Sequence, residues 1–168
     1  MSTKEHKEKA VKHLSIGIVT LSSTRTLAED KSGHWIKAQA ETAGHKAVLH
    51  TVIPDHAETI AETVRKAIRE HAPDALLLTG GTGVSPKDVT IEAVRPLFDK
   101  ELTAFGVLFA QLSFADIGSA AMLSRAAAGI VGKTLVFCMP GSLKACQLAC
   151  QSLIFPELGH LAAHIREE

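Results

Sequence analysis

The chain has 168 residues, 46% apolar and 21% charged, with 18 Lys and Arg balanced by 18 Asp and Glu. That is enough chain for one well-buried core, and it excludes disorder over most of the length. Zero formal charge argues against a nucleic-acid surface built on bulk electrostatics, the lack of tyrosine argues against a base-stacking platform, and no apolar run is expected to approach the length of a membrane span.

Residues 1–13 mix Lys, Glu and His with almost nothing to bury, so a flexible arm is expected ahead of a single domain over 14–168. The arm is charged rather than signal-like. Leu14 to Leu21 reads as a buried strand that opens into the hydroxyl-rich Ser22-Ser23-Thr24-Arg25-Thr26. That loop is either a polar pocket rim with Arg25 reaching an anion or a solvated connection. A helix follows, capped by Asp30 or Ser32 and closed at Gly44. Lys46 to Ile53 alternates as a second strand and ends at Pro54. Asp55 with Glu58 three residues on reads as a capping box for a helix that runs to His71, with a metal or catalytic role as the alternative for Asp55.

Ala75 to Thr79 is a third strand, and it ends in Gly80-Gly81-Thr82-Gly83-Val84-Ser85-Pro86-Lys87-Asp88. Three glycines in four residues permit positive φ and let backbone N–H groups converge on an anion. Thr79 and Thr82 add hydroxyls, and Asp88 could hold a hydrated Mg²⁺, which usually takes one or two carboxylates plus phosphate oxygens. The alternative is a tight turn with Asp88 or Thr90 as a helix cap. Neither the dinucleotide fingerprint nor the P-loop pattern fits the stretch. Three successive strand–loop–helix units imply an α/β domain with a parallel core sheet.

After a short helix over Ile91 to Val94, Leu102 to Phe114 is apolar on nearly every side, which in a chain this short points to burial between subunits. Asp116 to Gly129 is Ala-rich. Arg125 within it needs either an internal carboxylate or a ligand phosphate. Thr134 to Met139 is a last strand, ending in Pro140-Gly141-Ser142. Ser142 caps a final helix that carries Lys144, breaks near Pro156 and resumes to about Ile165. Cys138, Cys146 and Cys150 are an odd, sparse set, read as reduced thiols in a cytosolic protein. The pairs Cys146/Cys150 and His160/His164 lack the further ligands that a structural zinc needs.

Taken together, Thr79-Gly80-Gly81-Thr82-Gly83…Lys87-Asp88-Val89-Thr90, then Leu123-Ser124-Arg125…Ala128-Gly129, then Met139-Pro140-Gly141-Ser142…Lys144-Ala145-Cys146 resemble the MoaB/MogA family of molybdenum cofactor biosynthesis. The wording Phe-Cys-Met-Pro-Gly-Ser leans to the MoaB side of it. The resemblance implies a three-layer α/β/α sandwich with a mostly parallel sheet and trimeric or hexameric assembly. It implies molybdopterin as ligand, with its phosphate adenylylated by Mg-ATP, and other proteins of the same pathway as partners, while the cysteines, charge and apolar runs are what point to a cytoplasmic setting with no nucleic acid and no membrane. Asp55 and Asp88 match the family's catalytic and Mg²⁺-binding positions, which turns the reading of Asp55 from cap to site residue. Ser22, Thr79, Gly80, Gly81, Thr82, Gly83, Ser124, Arg125, Pro140, Gly141, Ser142 and Lys144 are the implied substrate- and nucleotide-binding set. Where many relatives carry Gly-Glu-x-x-Arg, this chain has Gly106-Val107-Leu108-Phe109-Ala110. The missing charges leave a non-catalytic molybdopterin carrier as the alternative.

Overall fold

A computed structural model describes residues 11–166. In chain order it contains β1 (Ser15–Leu21), α1 (Lys31–Thr42), β2 (Lys46–Ile53), α2 (Ala57–His71), β3 (Ala75–Thr79), α3 (Thr90–Val94), β4 (Lys100–Glu101), α4 (Thr103–Ile117), β5 (Ala127–Val131), β6 (Thr134–Met139), α5 (Leu143–Ala149) and α6 (Phe155–Arg166). The six strands form one sheet in the order β2-β1-β3-β6-β5-β4. The four strands β2, β1, β3 and β6 run parallel, and β5 and β4 add an antiparallel edge.

The parallel strands are apolar on both faces because helices cover both. On one side, Ile16, Ile18, Leu77, Phe137 and Met139 pack with Ile36 of α1, Phe105 and Phe109 of α4, Cys146 of α5 and Leu158 of α6. On the other, Val19, Leu76, Leu78 and Val136 pack with Ile60 and Val64 of α2 and Ile91 and Val94 of α3. The three-layer α/β/α architecture and the mostly parallel sheet are therefore as the resemblance implies.

Of the arm expected over 1–13, residues 1–10 lie outside the described residues. The Val11 N–H donates to Gly159 O at 3.1 Å, and His13 Nδ1 lies 2.9 Å from Gly44 O.

Several local expectations are corrected. The Asp55–Glu58 capping box does not form: α2 begins at Ala57 after an N-cap at His56 that makes no side-chain cap bond. Asp88 and Thr90 do not cap α3 either, whose N-cap is Val89. The C-terminal helix does not break at Pro156. A π turn over Cys150–Ile154 shifts the hydrogen-bond register, with the Phe155 N–H donating to Cys150 O, and the helix passes a proline that has no N–H to give. The Ala-rich stretch contains the start of strand β5, where Gly129 leaves room for the Phe98 ring.

The apolar segment expected over Leu102 to Phe114 is α4, which ends at Gly118 (φ 60°) and continues as a 3-10 turn over Gly118–Leu123, so that Thr103–Leu123 spans 21 residues. It is long and apolar enough, by length and composition, to cross a membrane, which corrects the expectation that no run approaches that length. Its inner side packs Phe105 and Phe109 into the domain core, while Val107 (67% exposed), Phe114 (63%) and Met122 (82%) face outward.

Candidate functional site

In the order β2-β1-β3-β6-β5-β4 the chain leaves β1 towards β2 at one edge and leaves the adjacent β3 towards β4 at the other, so the two outgoing connections diverge between β1 and β3. In open α/β sheets ligands bind in the crevice at the carboxyl ends of strands at such a point. The loops after β1, β2, β3 and β6 enclose a cleft of about 740 Å³ there, lined by Ser22, Ser23, Arg25, Asp55, His56, Gly80, Gly81, Lys87 and Gly141 among others.

The glycine loop forms the floor. Gly80 and Gly81 adopt φ of 108° and 62°, a region that side chains rarely tolerate. A Cβ on Gly80 would strike the Leu21 carbonyl, and one on Gly141 would stand 3.1 Å from the Gly80 Cα. Glycine at these places lets three loops meet backbone to backbone. Thr90 holds the loop from α3, its hydroxyl donating to Gly80 O at 2.8 Å and its N–H to Gly81 O at 2.9 Å.

Asp55 faces the cleft. Its Oδ2 accepts from Ser23 Oγ at 3.0 Å, a bond that aims the carboxylate across the cleft mouth instead of at its own helix. Arg25 and Lys87 bring positive charge to the same walls. Ser22 Oγ accepts from the N–H groups of Thr24 and Arg25, at 3.4 and 3.1 Å, and so shapes the loop that carries Arg25.

The remaining expected site residues fall elsewhere. Asp88 belongs to the loop itself and does not line the cleft. Its Oδ2 accepts the Ser85 N–H at 2.9 Å, closing the Ser85–Asp88 turn. Thr79 is fully buried beneath the floor, donating to Pro140 O at 2.9 Å and touching Cys146 Sγ at 3.0 Å. Thr82 is also buried, and its Oγ1 has no hydrogen-bond partner among the described residues. Arg125 lies behind the loop: its Nε donates to the carbonyls of Thr82 and Gly83, both at 2.9 Å, and its Nη1 and Nη2 form a fork on the Glu92 carboxylate. Of the two partners the sequence left open for Arg125, the structure supplies the internal carboxylate. Ser124, Ser142 and Lys144 line a separate cavity of about 150 Å³, and Ser142 also caps α5 by accepting from the Ala145 N–H at 3.2 Å. Val107 and Ala110 sit on the exposed side of α4 and do not line the cleft.

A buried polar cluster braces the wall. Asp30 is fully buried, accepting from Thr20 Oγ1 at 2.7 Å and the Gly33 N–H at 2.9 Å, with His50 Nε2 at 2.8 Å. Burial pushes its carboxyl pKa up, but the bonds from His50, Gly33 and Thr20 outweigh this and hold it below the usual aspartate range. Next to it, Ser32 Oγ donates to Gly141 O at 3.0 Å, tying α1 to the cleft. Sequence reasoning found Asp30 as a cap but not His50, which no local pattern marks. Glu92 was missed for the same reason.

Among the described residues no group of three or more His, Cys, Asp or Glu side chains is placed to hold a metal ion. Asp55, the one carboxylate that lines the cleft among the described residues, instead suits a cation that keeps most of its ligands as phosphate oxygens and water, the habit of Mg²⁺.

A family model described as a probable molybdopterin binding domain matches residues 17–160. The chain is 45% identical over 169 residues to a molybdenum cofactor biosynthesis protein B of Bacillus cereus, covering all of both chains. It is similar to a crystal structure of molybdenum cofactor biosynthesis protein B at a TM-score of 0.91 and 44% identity, over 94% of this chain and 98% of that one. It is also similar to the tungsten cofactor synthesizing protein MoaB of Pyrococcus furiosus, at a TM-score of 0.84 and 35% identity, over 94% and 100%.

Proposed function

The chain belongs to this molybdopterin-binding family of molybdenum cofactor biosynthesis proteins, and on that premise we propose that its cleft binds molybdopterin and ATP and adenylylates the molybdopterin phosphate. The observation that carries the reading is the meeting of the Gly80-Gly81 floor, the Asp55 carboxylate and the Arg25 and Lys87 cations in one cleft. A polyanion needs backbone N–H groups and positive charge, and a reaction between two phosphates needs both held in line.

In the proposed step an oxygen of the molybdopterin phosphate attacks the α-phosphorus of ATP. The bond from that phosphorus to the β-bridging oxygen breaks, and pyrophosphate leaves with the electron pair. No covalent enzyme intermediate is required, so the chain's work is to position and to neutralise charge. Mg²⁺, held by Asp55 together with phosphate oxygens, would supply charge neutralisation on the triphosphate. Arg25 and Lys87 hold the outer phosphates, and the glycine loop holds the inner ones. Asp88 contributes by closing the turn that carries Lys87. The test is release of pyrophosphate from Mg-ATP that depends on added molybdopterin.

The non-catalytic carrier is the second reading, favoured by the neutral Val107 and Ala110 where many relatives carry charges. It predicts molybdopterin binding with no pyrophosphate release.

The exposed apolar side of Thr103–Leu123 supports assembly into a trimer or hexamer. An outward face of this kind is covered by a partner in a stable soluble protein. The buried, reduced cysteines suit a cytoplasmic protein.

A further inference from the structure

We infer that Arg125 is a positioning residue, holding the glycine loop in its anion-binding shape with Glu92 as its counter-ion, and that its guanidinium does not contact the ligand. The inference rests on the cleft being an anion site, as proposed above.

Four successive carbonyls of the loop are tied to protein donors. Gly80 O and Gly81 O accept from the Thr90 hydroxyl and N–H. Thr82 O and Gly83 O both accept from Arg125 Nε, and Asp88 O lies 3.4 Å from Arg125 Nη2. In a trans peptide the C=O of one residue and the N–H of the next point in opposite directions. Fixing the Thr82 and Gly83 carbonyls on the Arg125 side therefore turns the N–H groups of Gly83 and Val84 away from it. The carbonyl oxygens, which would repel a phosphate, are withdrawn from the loop's outer side.

Only a guanidinium does this. Its planar fork serves two loop carbonyls through Nε and a carboxylate through both Nη atoms, whereas a lysine offers one point charge. Glu92 stands on α3, two residues after Thr90, so both clamps on the loop come from one short helix and the segment before β5. Arg125 is absent from the residues lining the cleft, as are Thr82, Gly83 and Val84, so its hold reaches the cleft through the flanking Gly80-Gly81 and Pro86-Lys87 segments that do line it.

Direct contact and positioning predict opposite signs for Glu92→Gln. If Arg125 reached a phosphate, loss of its carboxylate partner would free the guanidinium and tighten binding. If it positions the loop, the fork loosens and binding weakens. The experiment is calorimetric titration of the full chain with inorganic pyrophosphate and with Mg-ATP, for wild type, Glu92→Gln, Glu92→Asp and Arg125→Lys, with melting temperatures alongside. A charge-assisted hydrogen bond is at stake, so Glu92→Gln and Arg125→Lys are expected to weaken binding by about tenfold or more, with partial recovery in Glu92→Asp. Faster amide exchange in residues 81–84 of Arg125→Lys is expected even without ligand, and it keeps the test open if a Glu92 variant folds poorly. Equal or tighter binding by Glu92→Gln, or unchanged exchange in Arg125→Lys, would overturn the positioning role alone. Failure of the wild type to bind either probe would overturn the anion-site reading as well.

Discussion

Asp55 Oδ1 stands 3.2 Å from the place where a side chain on Gly81 would begin. The carboxylate and the glycine floor are thus fitted to each other, although 26 positions in the sequence separate them. Gly81→Ala would combine positive φ with a collision against Thr90 Oγ1, whose bond to Gly80 O fixes the loop. The expected cost is about 1–3 kcal/mol of stability together with loss of pyrophosphate binding. Gly132→Ala is the control: its φ is 59°, with nothing within 4 Å of an added Cβ, so it should cost about 1 kcal/mol and leave binding unchanged. Urea unfolding and titration calorimetry on both variants separate the two effects.

Acid sensitivity should follow from Asp30 and Asp74. Both are pushed up by burial, yet both are held below the usual range by hydrogen bonds, Asp30 mainly from His50 and Asp74 mainly from Ser15. A carboxylate with a depressed folded pKa adds stability that is present above its unfolded value and is lost as pH falls through the folded one. The urea midpoint, as far as these two carboxylates set it, should hold from pH 7 to about 5 and fall below about pH 4. Asp30→Asn should lower the midpoint at neutral pH and flatten the acid limb.

The cysteines should be silent in the folded protein. All three are buried, and burial pushes the Cys138 thiol up to about 12 and raises Cys146 and Cys150. The thiolate is the reactive form, so a thiol-selective disulfide reagent should label none at pH 8 and all three in guanidinium. Rapid labelling of Cys146 under native conditions would show that the Thr79–Cys146–Pro140 contacts beneath the cleft open readily.

Assembly should depend on the outer side of Thr103–Leu123. Phe114→Glu combined with Met122→Glu places charges on two outward residues that make no core contact, so the fold should survive. Sedimentation should show the wild type as a trimer or hexamer and the double variant as smaller species. A wild-type monomer would remove the proposed role of this face.

The strands of the parallel core were legible because the buried β3 and β6 read as unbroken apolar runs and the edge strand β2 as an alternating one, and all three fall where those patterns place them. Strand β5 was not, because its residues Ala127 to Gly129 are small, and Gly129 is so for a tertiary reason, the Phe98 ring, that no periodicity records. The glycine loop announced a site through its composition, but not which of its neighbours face the ligand. Asp88 and Arg125 look alike in sequence as charged residues beside a phosphate loop, and in the structure both serve the loop from within or behind. Asp55 presented the opposite difficulty, since a Glu three residues on imitates a capping box while its true partner, Ser23, lies 32 residues away.

The most direct measurement is conversion of molybdopterin to its adenylylated form by the purified chain with Mg-ATP, with Asp55→Asn alongside. The wild type should give product and stoichiometric pyrophosphate. Asp55→Asn should lose most of this activity with little change in melting temperature, because Asp55 caps no helix. Tight molybdopterin binding without product would contradict the catalytic reading and establish the carrier, and full activity in Asp55→Asn would contradict the assignment of that carboxylate.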